Sequence, residues 1–294
     1  MTKGGTMNWL SKFWSPKFGR SKSGDGSTNE GLWSQCPACE ATLYAVDLRN
    51  NAQVCPKCGY HGCLGARACI DLLLDAENRC EIGSGVTADD SLRFRDSRRY
   101  TERLADASKK TGESDSLLIM QGVLKAVPVV VAVVEADFLD GSMGSAFGER
   151  FVRGVRTAVV QKSPFICVFA SSGLRLQEGV FSLMQMAKTS AALALLSNAG
   201  VPFISVLTDP TARSACASLA AISDIVIAES GARVDLTDPP VTDETNDHQE
   251  LPENPSPPGF SLEAGAIDMI VDRREIKDRL ASLLSMLQKQ PVAA

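Results

Sequence analysis

Four cysteines constrain this chain more than any other feature: Cys36, Cys39, Cys55 and Cys58. They form two C-x2-C pairs separated by fifteen residues, Cys36-Pro37-Ala38-Cys39 and Cys55-Pro56-Lys57-Cys58. Two such knuckles can set four thiolates tetrahedrally around one Zn²⁺ at about 2.3 Å. A closed four-thiolate shell leaves no open coordination position, so the metal is expected to hold a fold and not to catalyse. Two disulfides or scattered core cysteines are the alternatives. Paired knuckles at this spacing rarely arise by chance, which favours zinc. Residues 31–62 are therefore expected to form a small zinc ribbon that needs the ion because its own core is too small.

The remaining length, to residue 294, is enough for one further sizeable core. Net charge is −5, so the whole chain has no electrostatic drive toward nucleic acid. The ribbon's charge is mixed, and its nearby aromatics are Trp33, Tyr44 and Tyr60, without the basic stripe of a nucleic-acid surface. No apolar run reaches the ~18–20 residues of a membrane span. The start lacks a continuous apolar segment with a cleavage site, and nine cysteines is an odd number. Both points argue for a reducing, cytoplasmic location. The five cysteines outside the tetrad (Cys63, Cys69, Cys80, Cys167 and Cys216) follow no ligand spacing and are expected to be small buried residues.

Residues 1–30 open with aromatic and basic residues (Trp9, Lys12, Phe13, Trp14) and continue into a Ser/Gly-rich linker. They are expected to be a flexible terminus, with a short amphipathic partner helix as the alternative. From residue 63 strands and helices alternate. Cys69–Leu74 reads as a helix, and the charged run Arg93–Leu104 as a solvated surface segment. Leu117–Met120 and Val129–Val134 read as a hairpin. A Gly-rich loop, Asp140–Ser145, then precedes a helix over Glu149–Gln161. A strand follows at Phe165–Ala170, with a tight turn at Ser171-Ser172-Gly173. The helix over 175–197 is stopped by Gly200. Val201–Leu207 and Ile225–Ala228 are further strands around a short helix, Ser214–Ile222, and a last helix carries Ile276, Leu280, Leu283, Leu284 and Leu287 on one face. This alternation predicts an α/β core over 63–294 with reactive loops at strand C-termini. Residues 235–258 interrupt it with seven acidic residues, six prolines and no Lys or Arg, the composition of a disordered acidic loop.

The chain has two histidines, His61 beside the ribbon and His248 in the acidic stretch. A Ser-His or Cys-His catalytic pair therefore has no histidine within the α/β core. There is no Walker-type phosphate loop and no dinucleotide fingerprint. Backbone chemistry remains. Gly141–Ser145, Ser171–Gly173 and Thr211–Ser214 each lead from a strand toward a helix. Such helix starts can direct free N–H groups at a developing oxyanion. Plain α/β turns that bind nothing are the alternative.

These motifs, in this order, resemble the β subunits of bacterial acetyl-CoA carboxylase carboxyltransferases from about Trp33 to Leu284. The resemblance is carried by the cysteine tetrad, Phe94–Ser97 (FRDS), Lys110–Glu113 (KTGE) and Gly141–Ser145 (GSMGS). It continues through Ser182–Leu193 (SLMQMAKTSAAL), Ile204–Thr211 (ISVLTDPT) and Gly265–Val271 (GAIDMIV). It implies a crotonase-like ββα superhelix behind the ribbon, and an α-subunit partner in an α2β2 assembly with active sites between the two chains. It further implies transfer of a carboxyl group from carboxybiotin, on the biotin carboxyl carrier protein, to acetyl-CoA. The product is malonyl-CoA for fatty-acid biosynthesis, and biotin enters only as a carrier-borne substrate. Gly141, Ser142, Gly144, Ser172 and Gly173 are then expected on the substrate-binding loops.

The departures from the family fall on those loops. Where the family has Met-Gly-Gly opening its oxyanion-hole helix, this chain has Ala212, Arg213 and Ser214. Where it has a Gly-Gly pair and a small residue before Arg175, this chain has Ser172-Gly173 and bulky Leu174. The family's Gly-Phe-Ala-Gly-Pro-Arg has become Asp235–Pro240. The backbone N–H groups of Arg213 and Ser214 would stand in for the glycine donors. Three readings follow: a working carboxyltransferase β subunit, a catalytically impaired paralogue that binds the α subunit and modulates the complex, and a nucleic-acid-binding ribbon. The last is the weakest.

Overall fold

A computed structural model describes residues 32–234 and 262–288. The expectations for residues 1–30 and for the acidic stretch 235–258, with Asp235–Pro240 and His248, lie outside the described residues.

The ribbon begins with β1 (Trp33–Gln35) antiparallel to β2 (Thr42–Tyr44), followed by α1 (Ala45–Asn50). Each cysteine pair sits in a tight knuckle. In the first, Cys36 N–H donates to the Ala41 carbonyl and Glu40 N–H to the Cys36 carbonyl; in the second, Cys55 N–H donates to Tyr60 and Gly59 N–H to Cys55. The ribbon's own core is Cys36, Leu43 and Cys55 with Ala41 and Leu48 against them, too little apolar area to stand alone.

The body is a seven-stranded sheet in sequential order. Strand β3 (Cys80–Glu81) pairs antiparallel with β4 (Leu117–Leu124), and β4 pairs antiparallel with β5 (Val127–Val134). Lys125 and Ala126 close the hairpin with φ of 44° and 68°, the two left-handed residues of a two-residue turn. From β5 onward all neighbours are parallel: β6 (Phe165–Ser171), β7 (Phe203–Thr211), β8 (Ile225–Glu229) and β9 (Met269–Val271). Parallel strands are covered on both faces, which accounts for unbroken runs such as VPVVVAVV and FICVFAS.

Alternate side chains along each strand feed two cores. Leu117, Ile119, Val130 and Ala132 face α4 (Ser145–Gln161) and α5 (Val180–Ala199), where Phe147, Phe151, Leu193 and Leu196 are buried. Leu118, Met120, Val129 and Val131 face α2 (Ala66–Leu73) and α7 (Ile276–Gln288). Helix α6 (Arg213–Ser218) connects β7 toward β8, and α3 (Tyr100–Thr111) lies before β4.

Several local expectations are corrected. Helix α4 starts at Ser145, four residues before Glu149, because the Gly-rich loop supplies its first turn. The helix expected over 175–197 is a 3₁₀ turn at Leu176–Glu178 followed by α5, with Gly179 at φ 53° between them. Gly200 ends it at φ 64° in the left-handed cap expected of it. The segment Ser214–Ile222 divides into α6 and a 3₁₀ turn at Ala220–Ile222. Cys69 and Cys167 are buried, but Cys63 and Cys80 are exposed. Helix α5 is also long and apolar enough, by length and composition, to cross a membrane; here one face of it packs on α4 and the sheet.

The ribbon meets the body at the β8–β9 side of the sheet. Arg273 donates to the carbonyls of Gly62 (2.7 Å) and Ala52 (3.2 Å) in the ribbon and to both Glu229 carboxylate oxygens on β8 (2.7 and 2.6 Å). His61 is buried there, Nδ1 3.5 Å from Glu229 Oε2 and Nε2 3.6 Å from Asp272 Oδ2. The ribbon histidine thus reaches the α/β body, as a junction residue.

Candidate active site and metal centre

The four cysteine sulfurs lie within 4.8 Å of one another. Two of the separations are 3.6 Å (Cys36–Cys58) and 3.8 Å (Cys39–Cys55). A tetrahedron with 2.3 Å metal–sulfur bonds has edges of about 3.8 Å, so this set fits zinc. The backbone N–H of Cys58, with that of Lys57, draws the Cys55 thiol down to about 6. Cys58 goes up to about 12: the Tyr60 N–H pulls it down, but desolvation and the neighbouring thiols prevail. Four sulfurs crowded this closely cannot all ionise without a cation, and Zn²⁺ held by Cys36, Cys39, Cys55 and Cys58 would supply that charge.

The three strand-end turns converge. The loop after β5 carries Gly141, Ser142 and Gly144, the turn after β6 carries Ser172 and Gly173, and β7 leads through Ala212 into α6. Their backbones lock together. Ser172 N–H donates to Asp140 O (2.9 Å), Met143 N–H to Gly173 O (2.8 Å), Arg175 N–H to Met143 O (3.0 Å), and Ala212 N–H to Ser171 O (2.8 Å). The Ser171 hydroxyl donates to Gly141 O (2.8 Å) and accepts from Gly173 N–H (3.1 Å).

This locking assigns roles to the expected substrate-loop residues. The amides of Gly141 and Ser142 donate back to Phe138 and Leu139 carbonyls (3.0 and 3.1 Å). With Ser172 and Gly173 also engaged, these four amides shape the loops. What brings the loops together is the absence of Cβ atoms. At Gly141 (φ 65°) a Cβ would lie 2.1 Å from the Ala170 carbonyl oxygen; at Gly144 it would lie 2.3 Å from Glu178 Oε1; at Gly173 (φ 106°), 2.4 Å from Ser214 Oγ. Gly141→Ala should therefore cost ~2–6 kcal/mol, combining left-handed strain with a clash against backbone that cannot yield. Urea unfolding measures this, and a midpoint unchanged from wild type would refute the packing described.

Arg213 and Ser214 occupy the first turn of α6, whose N-cap, Ala212, makes no side-chain capping bond. First-turn amides have no partner within their own helix. The amides of Arg213 and Ser214 thus have no partner within α6.

Beneath the loops lies a polar cluster that sequence reasoning missed. Arg175, Asp115, Ser116 and Tyr100 are fully buried, and Glu178 nearly so. The Arg175 guanidinium donates to Asp115 Oδ2 (2.8 Å), Ser116 Oγ (3.0 Å), Ser142 O (2.7 Å) and Ser142 Oγ (3.2 Å). Glu178 accepts from the Tyr100 hydroxyl (2.7 Å) and, at the start of α4, from Ser145 N–H (2.6 Å). Burial works against the Arg175 charge, but Asp115 more than offsets it and raises its pKa. Burial likewise pushes the Tyr100 hydroxyl up, so it stays a donor. Tyr100 belongs to the run read as a solvated segment. Its exposed neighbours fit that reading, and only an aromatic ring among charges hinted at a buried anchor.

Comparison with known proteins follows the same division. The acetyl-CoA carboxylase zinc finger domain model matches residues 33–58, and the carboxyl transferase domain model matches residues 86–256. Among solved structures, the chain resembles transcarboxylase 12S with methylmalonyl-coenzyme A bound in hydrolysed form (TM-score 0.61, 22% identity), covering 82% of this chain and 42% of that one. It resembles the Pseudomonas malonate decarboxylase hetero-tetramer in complex with malonate (TM-score 0.56, 22% identity), covering 78% and 83%. It also resembles the beta subunit of P. aeruginosa geranyl-CoA carboxylase (TM-score 0.58, 20% identity), covering 85% and 44%. The chain spans under half the length of the transcarboxylase and geranyl-CoA carboxylase chains. These likenesses show the crotonase-like fold expected from the sequence.

Proposed function

This chain belongs to the carboxyl transferase domain family, and from that premise we propose that it is the β subunit of an acetyl-CoA carboxylase carboxyltransferase. In this reading it moves a carboxyl group from carboxybiotin, borne by the biotin carboxyl carrier protein, to acetyl-CoA. Malonyl-CoA forms for fatty-acid biosynthesis in the cytoplasm. Residues 31–62 serve as the zinc ribbon and 63–294 as the transferase domain. The partner is a carboxyltransferase α subunit, in an α2β2 assembly.

The observation that carries the reading is the convergence of three strand-end loops on the start of α6. The acetyl group loses a methyl proton as its carbonyl becomes an enolate. The Arg213 and Ser214 N–H groups would hold that oxygen, an interaction typically worth about 2.7–4 kcal/mol per donor. The methyl proton goes to the biotin nitrogen, whose bond to the carboxyl carbon breaks as the nitrogen takes it, and the enolate carbon then bonds to the carboxyl carbon so released. No histidine is needed, and His61 lies buried at the ribbon junction. Gly141, Ser142, Gly144, Ser172 and Gly173 would line the CoA side by shape.

One observation favours the second reading, an impaired paralogue that binds the α subunit and modulates the complex. The Ser214 hydroxyl stands against Gly173, 2.4 Å from where a Cβ would lie, in the space between two reaction loops. The chain purified with an α subunit should form malonyl-CoA from acetyl-CoA and carboxybiotin. Stable α binding without turnover would overturn the enzyme reading in favour of the paralogue. In that event the double variant Arg213→Gly, Ser214→Gly should restore activity by ~10²-fold or more, the value of one oxyanion donor. No gain would show that the oxyanion account is insufficient.

A further inference from the structure

We propose that Asp209 and Arg233 form a positioning pair that sets where the first turn of α6 stands against the turn after β6. This rests on the oxyanion role proposed for the Arg213 and Ser214 amides and adds what holds them in place.

Strand β7 outruns its neighbour. Its pairing with β8 ends at Leu207 opposite Ala228, and Thr208–Thr211 continue past that point toward α6. On the β6 side this overhang is tied by a hydroxyl and an amide. Thr208 Oγ1 donates to the Phe169 carbonyl (2.7 Å), and Ala212 N–H to the Ser171 carbonyl (2.8 Å). On the other side the chain that follows β8 returns to lie beside the overhang. Thr211 N–H donates to Arg233 O (3.1 Å), and Thr211 bridges in parallel to Val234. The Asp209 carboxylate then accepts three bonds from one residue. The Arg233 N–H (3.2 Å) and Nε (2.7 Å) donate to Oδ1, and a terminal guanidinium nitrogen donates to Oδ2 (2.9 Å). A fork on both carboxylate oxygens fixes direction as well as distance.

This pair does little for global stability. The Arg233 side chain is 51% exposed and that of Asp209 24%, and exposed pairs contribute little because water screens them. What it fixes is local. Three residues beyond Asp209 stands Ala212, the N-cap of α6, and the Arg213 and Ser214 amides come next. The gap that α6 borders is one glycine wide: a Cβ on Gly173 would lie 2.4 Å from Ser214 Oγ and 3.6 Å from Ala212 Cβ. One wall of the gap, the turn after β6, is locked to the Gly141 loop. The other wall is the end of the overhang, which the fork braces. A misplacement of about 1 Å at a reacting group can cost ~10²-fold in rate, so a pair that adds little stability can still decide turnover.

The test assays the full chain with the α subunit for malonyl-CoA formation, separating kcat from KM. Arg233→Gln and Asp209→Asn should each lower kcat by ~10- to 100-fold and leave KM for acetyl-CoA near wild type. The double variant should lose no more than the worse single, since both remove one fork. Arg233→Lys should keep part of the activity, because an ammonium cannot span both carboxylate oxygens. Arg274→Gln breaks a fork of the same kind on Asp272, at the end of β9, and should leave kcat unchanged. Thermal unfolding of every variant should stay near wild type. In hydrogen exchange on the free chain, Arg233→Gln should expose the Thr211 and Ala212 amides about two- to fivefold faster, with Ile204–Leu207 unaffected. Unchanged kcat, a loss confined to KM, or an equal loss in Arg274→Gln would overturn the proposal. If the wild-type complex forms no malonyl-CoA, the enzyme reading falls by itself and exchange decides the positioning claim. Faster exchange at Thr211 and Ala212 then sustains the pair, and unchanged exchange overturns it in either case.

Discussion

Cys55→Ser is expected to abolish stoichiometric zinc binding and to unfold the segment from Leu32 to Gly62, while the seven-stranded sheet stays folded. The tetrad is the ribbon's main source of stability. Its apolar core amounts to Cys36, Leu43 and Cys55, two of them metal ligands. Zinc in comparable small peptides contributes about 10–16 kcal/mol at pH 7, beyond anything that core can replace. Inductively coupled plasma analysis should find one zinc per wild-type chain and well under one in the variant. Chelation of wild type should reproduce the variant's loss of protection at the ribbon amides in hydrogen exchange. The body should lose the contacts of Arg273 with the Ala52 and Gly62 carbonyls and those of His61 with Glu229 and Asp272, while Glu229 keeps the Arg273 guanidinium paired. A variant with a full complement of zinc, or a ribbon that stays protected without it, would refute the assignment.

The second large effect lies under the reaction loops. Asp115→Asn keeps the shape of the side chain but leaves the buried Arg175 charge without its principal counter-ion. Breaking a buried pair in this way costs about 3–5 kcal/mol, far more than the ~0–1 kcal/mol of a surface pair such as Arg98 and Asp106. Denaturant unfolding measures the loss. The companion variant Arg175→Met should be comparably destabilised, because it leaves the Asp115 and Glu178 carboxylates buried together. The double variant Asp115→Asn, Arg175→Met should recover at least ~2 kcal/mol over the sum of the singles, since replacing both partners removes the uncompensated charge. Strict additivity would mean that the two groups do not interact as the 2.8 Å contact implies. Arg175 also holds the Ser142 carbonyl and Glu178 holds the first amide of α4, so these variants should loosen the substrate-side loop as well.

The parts of this protein legible in its sequence are those with a local cause. Ligand spacing alone places four thiolates in reach of one ion, and the structure brings those four sulfurs together. Strands β5 to β7 announce themselves because residues buried on both faces must be continuously apolar, and Gly200 ends α5 as a left-handed cap should. The cluster around Arg175 was not legible, because its partners lie 60 and 75 residues away at Asp115 and Tyr100. No periodicity in the segment around Arg175 distinguishes a buried guanidinium from a surface one. His61 was readable as a ribbon neighbour, but its position between Glu229 and Asp272 depends on how the ribbon packs against β8.

The loops divide in the same way. The sequence alone determined that small residues stand at three strand ends, and so where a backbone could approach a ligand. Only the tertiary structure decided which of these amides turn inward. Gly141, Ser142, Ser172 and Gly173 turn theirs inward because the loops must satisfy their own buried polar groups against one another. The first turn of α6 has no such partner within its helix. In the proposed reading the amides of Arg213 and Ser214 carry the chemistry, and the glycines around them bring the backbones close.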